Sequence, residues 1–389
     1  MTSLLSLALL APAPAEAFCG FYVAGADQSL YNDATMVVML RSGTTTVLSM
    51  QNNYQGPPSA FAMVVPVPEV LKKESVRTLP RDVFAKVDTL AAPRLVEYWE
   101  QDPCAPIYEE EDRLRMAPMM EGAGGPPGLA KDDDLGVKIE ARFEVGEYDV
   151  VILSAKDSTG LDTWLRREKY NIPVGADAAL RPYVEAGTKF FVAKVMPDKV
   201  AFVDGKAVLS PLRVQYDSKD FALPVRLGLL NSNGQQDLIV HILAPHARYE
   251  LANYENAFVP TNIRVRDDVR NRYPAFYDAV FREVARPNTV VTEYAWDAGS
   301  CDPCPTPPLG DAEIATLGGD VVGDTNAYDY VLTRLHYRYG REGLGNDLVF
   351  REAPGVIGGR GVPGPDGAMT ETGAQPSGTN QFQGRYVIL

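Results

Sequence analysis

The chain has 389 residues, of which 46% are hydrophobic, and a formal net charge of −14. This content is enough to bury a full core, and the length fits either one large domain or two closely packed ones. A surface this acidic repels nucleic acid and anionic lipid headgroups, so neither is an expected partner.

Residues 1–17 are predicted to form a secretory signal peptide. An apolar run extends from Leu4 to Leu10, and Ala15-Glu16-Ala17 has the small-x-small pattern of a cleavage site. No Lys or Arg precedes the run, which departs from the usual signal. No later segment is apolar enough to span a bilayer. The mature chain is therefore expected to begin at Phe18, in the periplasm, on the outer-membrane surface or outside the cell.

The next part of the chain, residues 18–104, is predicted to be strand-rich with one helix. Two β-rich runs flank Arg41-Ser42-Gly43, which is a hairpin signal. An apolar stripe predicts a helix over residues 80–100. An acidic Gly/Pro linker or loop follows over residues 105–136, because its composition cannot support a core.

Residues 137–352 are predicted to be the main α+β region. The predicted strands are 139–145, 148–153, 189–196, 201–209, 212–216, 222–230, 238–243 and 289–294, and the predicted helices are 161–170, 178–186, 272–286 and one that Asp324 caps. In that last helix Tyr328, Leu332, Leu335 and Tyr339 share one face. Residues 353–380 are Gly/Pro/Ser-rich and are predicted to be mobile, and residues 381–389 are predicted to form a terminal strand.

Together these elements predict an α+β fold that is dominated by strands, with several short helices and mixed or antiparallel sheets. Whether residues 18–104 and 137–352 form one domain or two stays open.

The four cysteines, Cys19, Cys104, Cys301 and Cys304, all follow the predicted cleavage site, and an even number in an exported chain favours disulfides. A bridge within Cys301–Cys304 closes a very small ring. Pairing these two separately with Cys19 and Cys104 would close loops of roughly 200 or more residues, stabilising by about 4–5 kcal/mol on the entropic model. The local bridge leaves Cys19 with Cys104, and the long-range pairing has two forms. All three pairings stay open, and all four cysteines are expected to be oxidised.

The Cys-x-x-Cys spacing at residues 301–304 also suggests redox chemistry, which needs a thiol activated at a helix N-terminus. Pro305, Pro307 and Pro308 prevent a regular helix from starting at Cys304. The spacing therefore favours a structural bridge, with a thiol–disulfide oxidoreductase as the alternative.

No residue is predicted to be catalytic or to bind a cofactor or a metal. His241, His246 and His336 lack the i, i+4 spacing of a zinc site, and they are interpreted as core or surface residues. Trp99, Trp164 and Trp296 fit core positions. Their other interpretation, as the lining of a glycan site, leaves a carbohydrate-binding or carbohydrate-hydrolysing protein as the second alternative.

Several short sequence motifs resemble those of a bacterial family of unknown function, the domain of unknown function 2330. They are Phe18-Cys19-Gly20, Ser49 to Tyr54, Phe61 to Pro68, Leu161 to Leu165 with Ile172-Pro173, Leu332 to His336 and Leu348 to Phe350. The resemblance covers roughly residues 18–350. It implies export and supplies no activity.

The sequence thus predicts an exported envelope or surface protein with a non-catalytic structural or binding role. The expected kind of partner is another envelope protein or a glycan.

Overall fold

The computed structural model describes residues 34–51, 62–97, 135–168, 175–203, 206–231, 236–339, 345–361, 364 and 368–388. The predictions for residues 1–17 and 105–134, and those for Cys19, Trp99 and Cys104, lie outside these ranges. Within them the protein is α+β and dominated by strands, with mixed and antiparallel sheets, which confirms the predicted fold class.

The strands, numbered in chain order, are β1 Ala34–Ser42, β2 Thr45–Met50, β3 Ala62–Val67, β4 Val76–Thr78, β5 Arg94–Glu97, β6 Val137–Val145, β7 Tyr148–Ala155, β8 Lys189–Val195, β9 Ala201–Val203, β10 Lys206–Val208, β11 Leu212–Asp217, β12 Ala222–Leu223, β13 Gln236–Pro245, β14 Arg248–Leu251, β15 Glu255–Phe258, β16 Ile263–Arg264, β17 Thr289–Asp297, β18 Tyr330–Tyr339, β19 Leu348–Ala353, β20 Val356–Gly358, β21 Gln375–Pro376, β22 Gln381–Gln383 and β23 Arg385–Ile388.

The α-helices are α1 Asp82–Ala91, α2 Ser158–Arg167, α3 Ala176–Glu185, α4 Tyr273–Val284, α5 Asp311–Ile314 and α6 Asp320–Val322. A π-helical turn, Ala315–Gly319, joins α5 to α6, and 3-10 turns lie at Lys73–Ser75, Pro197–Lys199, Arg226–Asn231, Asp267–Arg272 and Ala327–Asp329. Within the described ranges, no helix is long and apolar enough to cross a membrane.

A large mixed sheet organises the fold. Its strand order is β21-β20-β22-β17-β18-β13-β1-β2-β11-β4, and β15 pairs with β17 beside this path. The β1–β13 pair is parallel, whereas β18 is antiparallel to both of its neighbours, β13 and β17. These middle strands are buried almost throughout, as expected where both faces of a sheet are covered.

A second sheet, ordered β3-β8-β7-β6, packs against one face of the large sheet. Val37 and Met39 of β1 meet Ile152 of β7 and Phe191 of β8 in one apolar cluster between the two sheets. The helices α2 and α3 cover the outer face of the second sheet, and α1 covers the opposite face of the large sheet. The core is therefore layered, and each strand alternates its side chains between two layers.

The predicted helix after Asp324 is wrong. Residues 330–339 form β18, which lies between β13 and β17 with almost every side chain buried. Both faces of this strand are buried and both carry apolar residues, so Leu332, Leu335 and Tyr339 also fit a helical spacing by chance. Asp324 instead accepts a hydrogen bond from the backbone N–H of Asn326, 3.1 Å away, which precedes a short 3-10 turn.

Other predicted elements are shorter than expected because prolines and turns end them. The helix predicted over 80–100 ends at Ala91, and after Pro93 the chain continues as β5. The strand predicted over 222–230 ends before Pro224, which cannot donate to a ladder, and a 3-10 turn follows. The strand predicted over 201–209 is the hairpin β9–β10.

The C-terminal segment contributes strands to the core. Inside the stretch predicted to be mobile, β20 and β21 pair with each other at the end of the large sheet. The final strand β23 lies between β5 and β16, parallel to both, and all four of its residues are buried. The sequence predicted the terminal strand but neither β20 nor β21.

Candidate functional site

Charged side chains are concentrated inside the large sheet, where α1 and α4 pack against it. We call this group the buried charge cluster. Its members are Asp88 of α1, Asp237 and His241 of β13, Tyr277 and Asp278 of α4, Glu293 of β17, and Arg334, His336 and Arg338 of β18.

Strand alternation brings the basic side chains together. Arg334, His336 and Arg338 are spaced two residues apart on β18 and therefore share one face. The neighbouring strand β13 places His241 opposite Arg334 and Asp237 opposite Arg338. Cross-strand partners of this kind are close enough for their side chains to interact directly.

Glu293 reaches the cluster through an irregularity in β17. The register with β18 shifts between Thr292, which opposes Leu335, and Tyr294, which opposes Arg334. Glu293 is thus the extra residue of a β-bulge, a feature that redirects a side chain out of the regular alternation. The bulge lets one carboxylate contact both Arg334 and His336.

Arg334 is at the centre of the cluster and is fully buried. Its Nε donates to Glu293 Oε2 at 2.6 Å, and its Nη1 donates to a carboxylate oxygen of Asp88. Its Nη1 also lies 3.2 Å from His241 Nε2. The guanidinium therefore joins α1, β13, β17 and β18 through charge-assisted contacts, which are stronger than neutral hydrogen bonds.

His336 links the buried centre to the surface. Its Nδ1 lies 2.7 Å from Glu293 Oε1 and its Nε2 lies 3.1 Å from Asp237 Oδ1. The Phe281 ring of α4 stacks on the imidazole, with 3.9 Å between ring centroids. Arg338 then pairs with Asp237 at 2.7 Å and with Asp278 at 2.9 Å near the rim.

Burial and neighbouring charges set the protonation of these groups. Burial opposes a charged His336, but Glu293 and Asp237 outweigh it and raise the pKa of His336 above its usual range. Burial would likewise raise the pKa of Glu293, yet the charges of His336 and Arg334 lower that pKa to about 2. His336 is therefore an imidazolium between two carboxylates.

On the other side of Arg334, the pKa values of Asp88 and His241 are both shifted toward the neutral form of the side chain. Burial raises the pKa of Asp88, and the adjacent guanidinium of Arg334 only partly offsets this effect. Burial and the Arg334 charge together lower the pKa of His241 well below its usual range, so this imidazole is neutral. Glu293 and Arg334 have no exposed surface and His336 only 1%. The cluster is thus sealed from solvent at its centre, where it joins α1 to β13, β17 and β18.

Replacing His336 with glutamine is expected to change how stability depends on pH. Because the folded pKa is raised, the contribution of His336 is fully present below about pH 6.5 and is lost as the pH rises through the folded value. Each unit of elevation contributes about 1.4 kcal/mol. The destabilisation by H336Q, measured by urea unfolding, should therefore be largest near pH 6 and shrink toward pH 9.

The matched control is Val150→Ala, which destabilises the second sheet without removing a titratable group. Val150 lies on β7 and is fully buried. The destabilisation by V150A should be the same at pH 6 and pH 9. Equal pH slopes for the wild type and H336Q would contradict the assignment of a charged His336.

The second chemical feature is the cysteine pair. Cys301 and Cys304 form a disulfide, which is the local one of the pairings left open by the sequence. Cys304 is exposed and Cys301 is half-buried against the apolar cluster beside α1. The next helix, α5, begins only at Asp311, so neither cysteine lies in the first turn of a helix. The usual device that activates a thiol is absent from this described loop.

The other residues singled out by the sequence do not converge on one site. Trp164 and Trp296 are both buried, in the apolar clusters beneath α2 and α1 respectively. In the ranges that the structure covers, no group of three or more His, Cys, Asp or Glu side chains is arranged to hold a metal ion. The sequence did not predict the buried charge cluster, and its one local signal was the Arg-x-His-x-Arg alternation of β18.

The fold and the cluster define an α+β protein built on a mixed sheet whose middle strands are joined by buried ion pairs. The chain belongs to the family described as an uncharacterized protein conserved in bacteria, the domain of unknown function 2330, which matches residues 13–351. No curated protein and no solved structure matches the chain. The family match ends within β19, so β20 to β23 follow the matched residues.

Proposed function

We propose that this protein is exported to the bacterial cell envelope or surface and has a structural or binding role without catalysis. The observation that carries the second part is the closure of the buried charge cluster. Glu293, His336 and Arg334 are the residue types of many active sites, but their polar atoms contact one another at the centre of the sheet. No substrate reaches a group with 0% exposure without the sheet opening.

Export is supported by the sequence and by the state of the cysteines. The apolar run Leu4 to Leu10 precedes Ala15-Glu16-Ala17, as in a cleaved secretory signal. The Cys301–Cys304 pair is oxidised, and disulfides persist mainly in compartments outside the cytosol. The proposed compartment is the periplasm, the outer-membrane surface or the medium.

The proposed kind of partner is another envelope protein or a glycan. Phe202 and Tyr328 are the exposed aromatic side chains of the described ranges, with 57% and 69% of their surface accessible. Aromatic rings of this kind supply apolar contact area in both protein and sugar recognition. The acidic net charge of −14 favours a partner with a neutral or basic surface.

Expression of the full chain in a bacterium should yield a protein that is cleaved after Ala17. We expect N-terminal sequencing to read Phe18, and cell fractionation to place the protein outside the cytoplasm. The matched control is Leu7→Arg, which interrupts the apolar run and should leave the chain uncleaved in the cytoplasm. Recovery of the intact Met1 terminus on the wild-type protein would contradict the proposal.

A further inference from the structure

We propose that the Cys301–Cys304 bridge is a redox-modification site, which an external dithiol opens, and that its opening loosens the C-terminal strands β22 and β23. This proposal goes beyond export and does not depend on it, because the purified protein is sufficient to test it. It also differs from an oxidoreductase role, since here the bridge is the substrate of another thiol.

The bridge is accessible from one side. Cys304 is exposed together with its neighbours Pro303 and Pro305, whereas Cys301 is half-buried. A thiolate of the dithiol would attack Cys304 Sγ and form a mixed disulfide, and Cys301 would leave as a thiolate and take up a proton. The second thiolate of the dithiol then attacks the first sulfur of the same dithiol, which is bonded to Cys304, and releases Cys304 as a thiolate that takes up a proton. The dithiol is oxidised to a disulfide, and the protein gains two electrons and two protons.

The backbone enclosed by this bridge is connected to the buried C-terminal segment. The carbonyl of Asp302 accepts a hydrogen bond from Gln383 Nε2. Gln383 belongs to β22 and is only 1% exposed. The same Nε2 also donates to the Gly359 carbonyl at 3.0 Å, and the Gln383 Oε1 accepts from Arg94. Both donor positions of this amide are thus occupied, one of them by the cysteine ring.

The cysteine loop has few other attachments. At the two ends of the loop, the N–H of Ala298 donates to the backbone carbonyl of Tyr330 at 2.8 Å, and the N–H of Leu309 donates to the backbone carbonyl of Ala298 at 3.0 Å. Between residues 301 and 308, within the part of the chain that the structure describes, the Gln383 side chain makes the hydrogen bond that joins the loop backbone to the core. The bridge therefore holds the Asp302 carbonyl in place as the acceptor for the buried side-chain amide of Gln383.

Opening the ring frees Asp302 to turn toward solvent and leaves a buried donor of Gln383 without its acceptor, which is costly inside a protein. The effect would spread along the strands that Gln383 connects. Thr261 Oγ1 donates to the backbone carbonyl of Gln383 at 2.6 Å, and the N–H of Gly384 donates to the backbone carbonyl of Glu293 at 2.8 Å. Residues 381–388 therefore form the region in which protection should change.

Hydrogen exchange of the purified full chain, with and without dithiothreitol, tests the proposal. We expect dithiothreitol to reduce Cys301–Cys304 under native conditions, as read by alkylation, and to speed exchange of residues 381–388 about tenfold, which corresponds to about 1.4 kcal/mol of local stability. Exchange of β7 and β8, in the second sheet, should not change.

Two variants assign the effect to this bridge. C301S/C304S should exchange fast at residues 381–388 without reductant and should not respond to dithiothreitol. C19S/C104S retains the pair and should respond like the wild type. The proposal is overturned if the native bridge resists dithiothreitol, or if residues 381–388 exchange at the same rate with the bridge open and closed. Neither result would bear on export.

Discussion

Replacing Arg334 with methionine is expected to lower the free energy of unfolding by about 3–5 kcal/mol, the usual cost of removing one partner of a buried ion pair. The guanidinium is fully buried, and it contacts Glu293 at 2.6 Å and Asp88 on another element. Without it, Asp88 is left as a buried carboxyl group with no cation beside it. Urea or guanidinium unfolding of the purified variant measures the loss.

The matched control is Arg181→Met, which removes the same side chain from an exposed ion pair outside the cluster. Arg181 lies on α3, 58% of its side chain is exposed, and it contacts Asp177, 40% exposed, one helical turn away at 3.8 Å. Exposed pairs of this kind contribute about 0.3–0.5 kcal/mol. A loss in R334M no larger than that in R181M would show that the cluster does not stabilise the sheet.

Deleting residues 381–389 is expected to have the other large effect, because the remaining chain should not fold. β22 pairs with β17 at its free edge, and β23 fills the space between β5 and β16. The deletion would expose those strand edges and the apolar cluster that Phe382 and Tyr386 complete with α4. Soluble yield and the presence of a cooperative unfolding transition are the measurements.

A point substitution shows whether packing explains this effect. Tyr386 is fully buried against α4, and truncating a large buried aromatic ring costs about 3–5 kcal/mol, so Y386A should be strongly destabilised. Tyr328, 69% exposed, provides the control, and Y328A should stay within about 0.5 kcal/mol of the wild type. A folded deletion protein, or equal losses in the two variants, would contradict the assigned role of the C-terminal strands.

The fold class could be predicted because many elements carry clear local signals. β1 and β2 flank a glycine turn, and the helix predicted over 161–170 is α2, which is capped by Asp157 through the N–H of Gly160. These local sequence signals failed where tertiary contacts decide the secondary structure. β18 is buried on both faces, and its apolar residues fit two periodicities equally well.

The buried charge cluster could not be predicted, since its partners are distant along the chain. Arg334 meets Asp88 across 246 positions and Glu293 across 41. The contact with Glu293 also depends on a β-bulge, for which one sequence offers no visible signal. The role of the last strand is equally non-local, because β23 pairs with β5, and their partners Arg385 and Arg94 are 291 residues apart.

A double-mutant cycle between Arg334 and Asp88 tests most directly whether the cluster holds the sheet together through its ion pairs. If it does, D88L/R334M should be more stable than the sum of the two single changes implies, with a coupling energy of about 1–3 kcal/mol, since the double variant leaves no orphaned charge at this contact. The exposed pair Asp177–Arg181 should show a coupling of about 0.5 kcal/mol or less. Additive losses at Arg334 and Asp88 would contradict the account.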